Sequence, residues 1–63
     1  MKEKFELHRK KERWLMANVR EYFFTKEQIA DISGVTVKEI EDFESGESDN
    51  YYLIFVYNAV LSL

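Results

Sequence analysis

One short stretch of this sequence carries side chains of the kind that meet nucleic acid: the basic run Arg9, Lys10, Lys11 and Arg13. Lysine and arginine neutralise phosphates. Chemistry of the bond-breaking kind is not indicated. There is no cysteine and one histidine, His8, set in a run of charges where a solvated surface residue is the expected reading. Disulfides and thiolate metal sites are thereby excluded, and no metal or other cofactor is expected. No nucleophile–base pair stands out, so an enzyme is not expected and no catalytic residue is assigned.

The elements that must position these groups read as helices. The chain has 63 residues, two glycines and no proline, so little interrupts a helical run. Residues 3–22 form a first helix. Trp14, Leu15, Val19, Tyr22 and Phe23 recur at helical spacing and mark its core face, and Glu6 and Lys10 are placed for an i,i+4 pair. The mostly polar portion over residues 2–13 is expected to project from the core or to pack on a partner. A second helix begins at Thr25, where Thr25 and Gln28 spell a capping box, and ends at Gly34. A third begins at Thr36, where Thr36 and Glu39 spell another, and stops at Gly46. Asp49 or Asn50 can cap a fourth, over residues 51–62. The expectation is one all-α domain, a small bundle of four to five helices: a long basic helix over 1–22, a helix-turn-helix over 25–45 and an apolar helix over 49–63.

The segment FTKEQIADISGVTVKEIEDFESG, followed by a capped apolar helix, resembles the Cro/repressor-type helix-turn-helix family, also called lambda-repressor-like or XRE-type. The residues that carry the resemblance are Phe24, Thr25, Ile29, Ala30, Gly34, Val35, Thr36, Ile40, Phe43, Glu44 and Gly46, and it covers about two-thirds of the chain. It implies a DNA-binding transcriptional regulator, of the sort found in phages and mobile elements, that acts as a homodimer. It implies that Lys26 stands where the family often has a phosphate-touching glutamine, and that Thr25, Thr36 and Lys38 touch DNA with it, the basic first helix serving as an arm. It implies that Val37, Lys38, Glu39, Glu41 and Asp42 occupy the base-reading positions, and that Glu44 pairs with an arginine of the first helix, for which Arg20 is the candidate.

The charges pull the other way. Net charge is −3, but it is unevenly spread. Residues 1–26 hold Lys2, Lys4, Arg9, Lys10, Lys11, Arg13, Arg20 and Lys26 against Glu3, Glu6, Glu12 and Glu21, a balance of +4. Residues 27–63 hold Lys38 against Glu27, Asp31, Glu39, Glu41, Asp42, Glu44, Glu47 and Asp49, a balance of −7. A groove-reading helix with Glu39, Glu41 and Asp42 outward brings three anions towards phosphates. Each like-charge contact near 4 Å costs up to ~4 kcal/mol before salt screening, and non-specific DNA binding has only roughly 5–8 kcal/mol to give. The alternative is a protein-binding module on the same fold that has lost DNA reading, antirepressor-like or inhibitor-like. The basic run is a nucleic-acid patch or a solvated helix face, and its residues leave both readings open.

The fourth helix is apolar on nearly every side, and a helix hydrophobic all round is buried all round. A domain this small buries only ~60% of its unfolded surface. One side is therefore expected on the domain and the other on a second copy, through Tyr51, Tyr52, Phe55, Val56, Ala59, Leu61 and Leu63. Trp14 and the tyrosines at 51, 52 and 57 are expected in core or dimer packing rather than stacked on bases. No export signal or membrane span is visible, and a cytoplasmic location is expected.

Overall fold

The computed structural model describes the backbone of residues 2–62 and the side chains of residues 8–62. Leu63, counted above in the dimer interface, and Glu6, counted in a pair with Lys10, lie outside the described side chains. Four α-helices follow in order: α1 Lys2–Phe23, α2 Lys26–Ser33, α3 Val37–Glu44 and α4 Tyr51–Leu61. Among the described residues the all-α expectation holds, and the helices number four. The 22 residues of α1 make a rod of ~33 Å at 1.5 Å per residue, which sets the 36 Å long dimension of the molecule.

The punctuation works as spelled. The Thr25 hydroxyl accepts from the Gln28 amide at 3.1 Å, and the Gln28 side chain accepts from the Thr25 amide at 2.8 Å. Gly34 takes the left-handed conformation at φ 74° and donates its N–H to the carbonyls of Ala30 and Asp31. Two residues later the Thr36 hydroxyl caps α3 by accepting from the Glu39 amide at 3.1 Å. Here only half of the spelled box forms: Glu39 does not return the bond to the Thr36 amide. Of the two candidates for the α4 cap, Asn50 is the one used, accepting from the amides of Tyr52 and Leu53. Asp49 is left free for another task.

The core is built from Ile29 and Ala30 of α2, Ile40 and Phe43 of α3, and Leu53, Tyr57 and Leu61 of α4, with Val19, Phe24, Val35 and Ile54 half-buried around it. Phe43 and Tyr57 meet with ring centroids 4.9 Å apart. The side of α1 turned to this core is not the one its apolar residues suggest. Trp14, Leu15, Tyr22 and Phe23 are all exposed, Tyr22 at 85%, and of the expected five Val19 alone is half-buried. Arg13 and Arg20 face inward instead, at 5% and 3% exposure. At ~100° per residue the five apolar positions spread over roughly half the circumference of the helix. Arg13, Met16 and Arg20 form the narrower line, and the bonds available to the guanidinium groups fix which line turns in.

Gly34 carries a left-handed backbone with no neighbouring atom where a Cβ would sit. A substitution there costs backbone strain alone, ~1–2 kcal/mol for an ordinary residue and less for Asn. Thermal melts followed by circular dichroism should therefore rank wild type above Gly34→Asn, and Gly34→Asn above Gly34→Ala. An alanine variant as stable as wild type would mean that the turn is not held as described.

Candidate nucleic-acid interface

The α2–α3 pair sets the geometry of the candidate surface. Ile40 and Phe43 point into the core, so the opposite side of α3 turns to solvent. Lys38 and Glu41 are exposed there, and Val37, Glu39 and Asp42 are half-buried. Thr25 and Thr36 stand exposed at the starts of α2 and α3. Val37 packs against the core cluster, so its assignment to a base-reading position is corrected; the other residues picked out on these two helices share one outward region.

The two lysines in that region are not unpaired. Lys26 Nζ lies 3.2 Å from Glu41 Oε2, which ties the start of α2 to the outer side of α3. Lys38 Nζ lies 2.9 Å from Asp42 Oδ2, one turn along the same helix. The hydrogen bond and charge of Asp42 raise the Lys38 ammonium above its ordinary pKa, so it stays charged. Both pairs are solvent-exposed, and such pairs contribute little and exchange readily.

The basic run of α1 divides into two groups. Arg13 is a structural residue. Its Nη1 donates to the carbonyls of Phe43 at 3.0 Å and Ser48 at 2.6 Å, and its Nη2 reaches Asp49 at 3.3 Å. The guanidinium lies 4.1 Å above the centroid of the Phe43 ring. A buried arginine so engaged is not open to a phosphate, and its assignment to a DNA surface is corrected. Arg9 donates to Asp49 Oδ2 at 2.7 Å. The expected free projection of residues 2–13 is therefore also corrected: from Arg9 on, α1 is tied to the loop that leaves α3. Lys10 and Lys11 remain exposed, and the Lys10 stem lies against Gly46, where an added Cβ would come within 3.1 Å of Lys10 Cγ.

Behind this surface lies a buried polar junction. Arg20 Nε and Nη2 donate to the two oxygens of Glu44, each at 2.8 Å, and Arg20 Nη1 donates to the Phe24 carbonyl at 3.0 Å. The Tyr57 hydroxyl donates to Glu44 Oε2 at 2.7 Å. The Arg20–Glu44 pair anticipated from the resemblance is present. The roles of Arg13, Asp49 and the Tyr57 hydroxyl were not anticipated. The signal that could have exposed Arg13 is its place one heptad before Arg20, with Met16 and Ala17 between, on a helix whose apolar residues keep no single face.

On α4, Val56 and Leu61 face the domain core at 8% exposure, so they are withdrawn from the expected interface with a second copy. Tyr51, Tyr52, Phe55 and Ala59 are exposed. Trp14 is exposed as well, against the expectation of packing, whereas Tyr57 is in the core. Among the described residues no group of His, Cys, Asp and Glu is placed to hold a metal ion, and no helix is long and apolar enough to cross a membrane. Comparison with protein-family models, with curated proteins and with solved structures finds no match for this chain.

Two outcomes follow from this geometry. Arg13→Ala should lower the melting temperature markedly, because it removes hydrogen bonds from a charged group to two carbonyls, each contributing about 1.5–3 kcal/mol, while Lys11→Ala should leave it within a degree or two of wild type. Burial and the Glu44 carboxylate push the Tyr57 hydroxyl well above the ordinary tyrosine value. The folded state thus keeps a proton that the unfolded chain loses above about pH 10. Stability from this group is complete below that pH and falls as pH rises beyond it. Urea titrations from pH 8 to 11 should show wild type losing stability more steeply than Tyr57→Phe, and parallel curves would contradict the assignment.

Proposed function

We propose that the protein is a small regulator that docks on duplex DNA, with α2 and α3 acting as a helix-turn-helix and α3 as the member offered to the major groove. The observation that carries this reading is the α2–Gly34–α3 unit itself. Two capped helices of eight residues each meet at a left-handed glycine and turn Thr25, Lys26, Thr36, Lys38, Glu39, Glu41 and Asp42 to one outward region. Threonine hydroxyls and helix N-termini are suited to phosphate oxygens. Lys26 and Lys38 are held by exposed, weak pairs, so phosphates can take them over. Lys10 and Lys11 add cations near the loop that leaves α3. The regulator works as a pair of copies, since two recognition helices read two half-sites one helical turn apart.

A second reading is a protein-binding module, and one observation favours it. The outward side of α3 carries more acid than base, and both nearby lysines are already matched by Glu41 and Asp42. The basic residues nearest the core are spent on the fold: Arg13 and Arg20 are buried, and Arg9 is held by Asp49. On this reading the acidic side meets a basic protein surface instead of a groove.

Fluorescence anisotropy with the DNA upstream of the protein's own coding sequence separates the two. The regulator reading expects binding at low salt that weakens as salt rises, with a steeper slope for Glu41→Gln because Lys26 is released to a phosphate. Glu39→Gln combined with Glu41→Arg should raise affinity for unrelated DNA by ten-fold or more, each ten-fold being ~1.4 kcal/mol. If neither wild type nor that variant binds at micromolar concentration in low salt, the DNA reading fails and the protein-binding one stands.

A further inference from the structure

An open apolar groove runs between α1 and α4, with a volume of about 300 Å³. Leu15, Met16, Val19 and Ile54 line it, and Glu12 and Asn58 stand at its rim. Glu12 Oε1 lies 3.2 Å from His8 Nε2. Phe55 follows Ile54 directly and is 70% exposed; Tyr51, one turn before it, is 80% exposed. No residue of α4 carries a charge.

We propose that this α1–α4 face is where two copies of the chain join, each inserting Phe55 into the other's groove. The inference rests on the pairing proposed above but not on DNA. Its first support is shape: a protruding ring and an apolar hollow lie side by side on one surface. A two-fold axis satisfies both at once and closes the assembly at two copies. The second support is chemistry. Interface centres are depleted in charge and enriched in Tyr and Phe, and the outward side of α4 has that composition. The third is area. Exposed Tyr51, Phe55 and Leu15 offer roughly 400 Å² of apolar surface at ~200 Å² per large side chain, about half of the ~800 Å² that each partner contributes to a standard interface. The same face explains why Leu15 of α1 stays exposed in the single chain.

The test is mass in solution without nucleic acid, so that its failure is separate from any failure of DNA binding. Wild type at ~10 µM is expected to sediment at twice 7.6 kDa. Phe55→Asp and Leu15→Asp should sediment at the single-chain mass with the helical dichroism of wild type. Ile32→Asp, which alters an exposed apolar side chain of α2 outside the groove, should remain paired. The chain has no cysteine, so a mixture of Phe55→Cys and Leu15→Cys should form a mixed disulfide on mild oxidation. That crosslink decides the matter should Phe55→Asp lose its helical signal. A folded wild type of single-chain mass overturns the proposal and leaves the groove to a different protein. A Phe55→Asp variant that stays paired, or a mixture that does not crosslink, also overturns it.

Discussion

Glu44 sits at the end of α3, within reach of two other helices, and its carboxylate has four lone-pair positions to satisfy out of water. Arg20 from α1 fills two of them through a planar fork, and the Tyr57 hydroxyl from α4 fills a third. A fork that bonds both oxygens in one plane allows little rotation or slip. The junction therefore sets how α1, α3 and α4 lie against one another. A buried pair of this kind adds little net stability beyond an apolar replacement, but it is costly to break and can select one packing. In a molecule with so few fully buried apolar side chains, that selection matters. The Phe43–Tyr57 contact and the closure of Leu53 and Leu61 over it follow from the registry that Glu44 fixes.

Arg13 repeats the same device one heptad earlier. It covers Phe43 with a flat cation and donates to the carbonyls of Phe43, near the end of α3, and Ser48, in the loop beyond it. Asp49 neutralises it and takes Arg9 at the same time, so the loop between α3 and α4 is drawn towards α1. The fold thus spends arginines on its interior and leaves lysines outside. This division bears on function. An arginine bound to main-chain carbonyls cannot be recruited to a phosphate without unfolding its surroundings, whereas a lysine in an exposed pair can. Among the described residues, the cations open to a phosphate are Lys10, Lys11, Lys26 and Lys38, each competing with a nearby acid or with water.

Much of the architecture was legible in the residues. Thr25, Gln28, Gly34 and Thr36 act locally, through bonds to amides a few positions away, so their meaning survives without knowledge of the fold. The Glu44–Arg20 pair was legible by resemblance. The orientation of α1 was not. Its apolar residues are numerous enough to suggest a core face, but they serve two surfaces: Met16 and Val19 lean on the domain, while Leu15 and Phe23 look outward. A sequence pattern records that a side chain is apolar and not which body covers it. Arg13 misled for the complementary reason: a charged residue in a charged run reads as solvated, and its burial depends on carbonyls thirty or more positions away. For the outward side of α3, local punctuation fixes where the helix begins, but Val37 turns to the core, and what the rest bind depends on the balance of Lys26 and Lys38 against Glu39, Glu41 and Asp42.

That balance also constrains how α3 can be used. Glu41 reaches back to Lys26 on α2 and Asp42 reaches back to Lys38, so each acid does two things at once: it neutralises a cation, and it keeps that side chain lying along the helix surface. In water these pairs cost little to open. At a polyanion the exchange is uneven, because the lysine moves to a phosphate while the freed carboxylate remains in the same negative field. Only a donor on the duplex, such as a cytosine amino group facing Glu39 or Glu41, can receive that carboxylate. If α3 enters a groove, discrimination should therefore arise more from where its acids are tolerated than from where its lysines are attracted. On the proposed use of α3, its acids make it selective before it is adhesive, and the proposed pairing of two copies would supply the affinity they withhold.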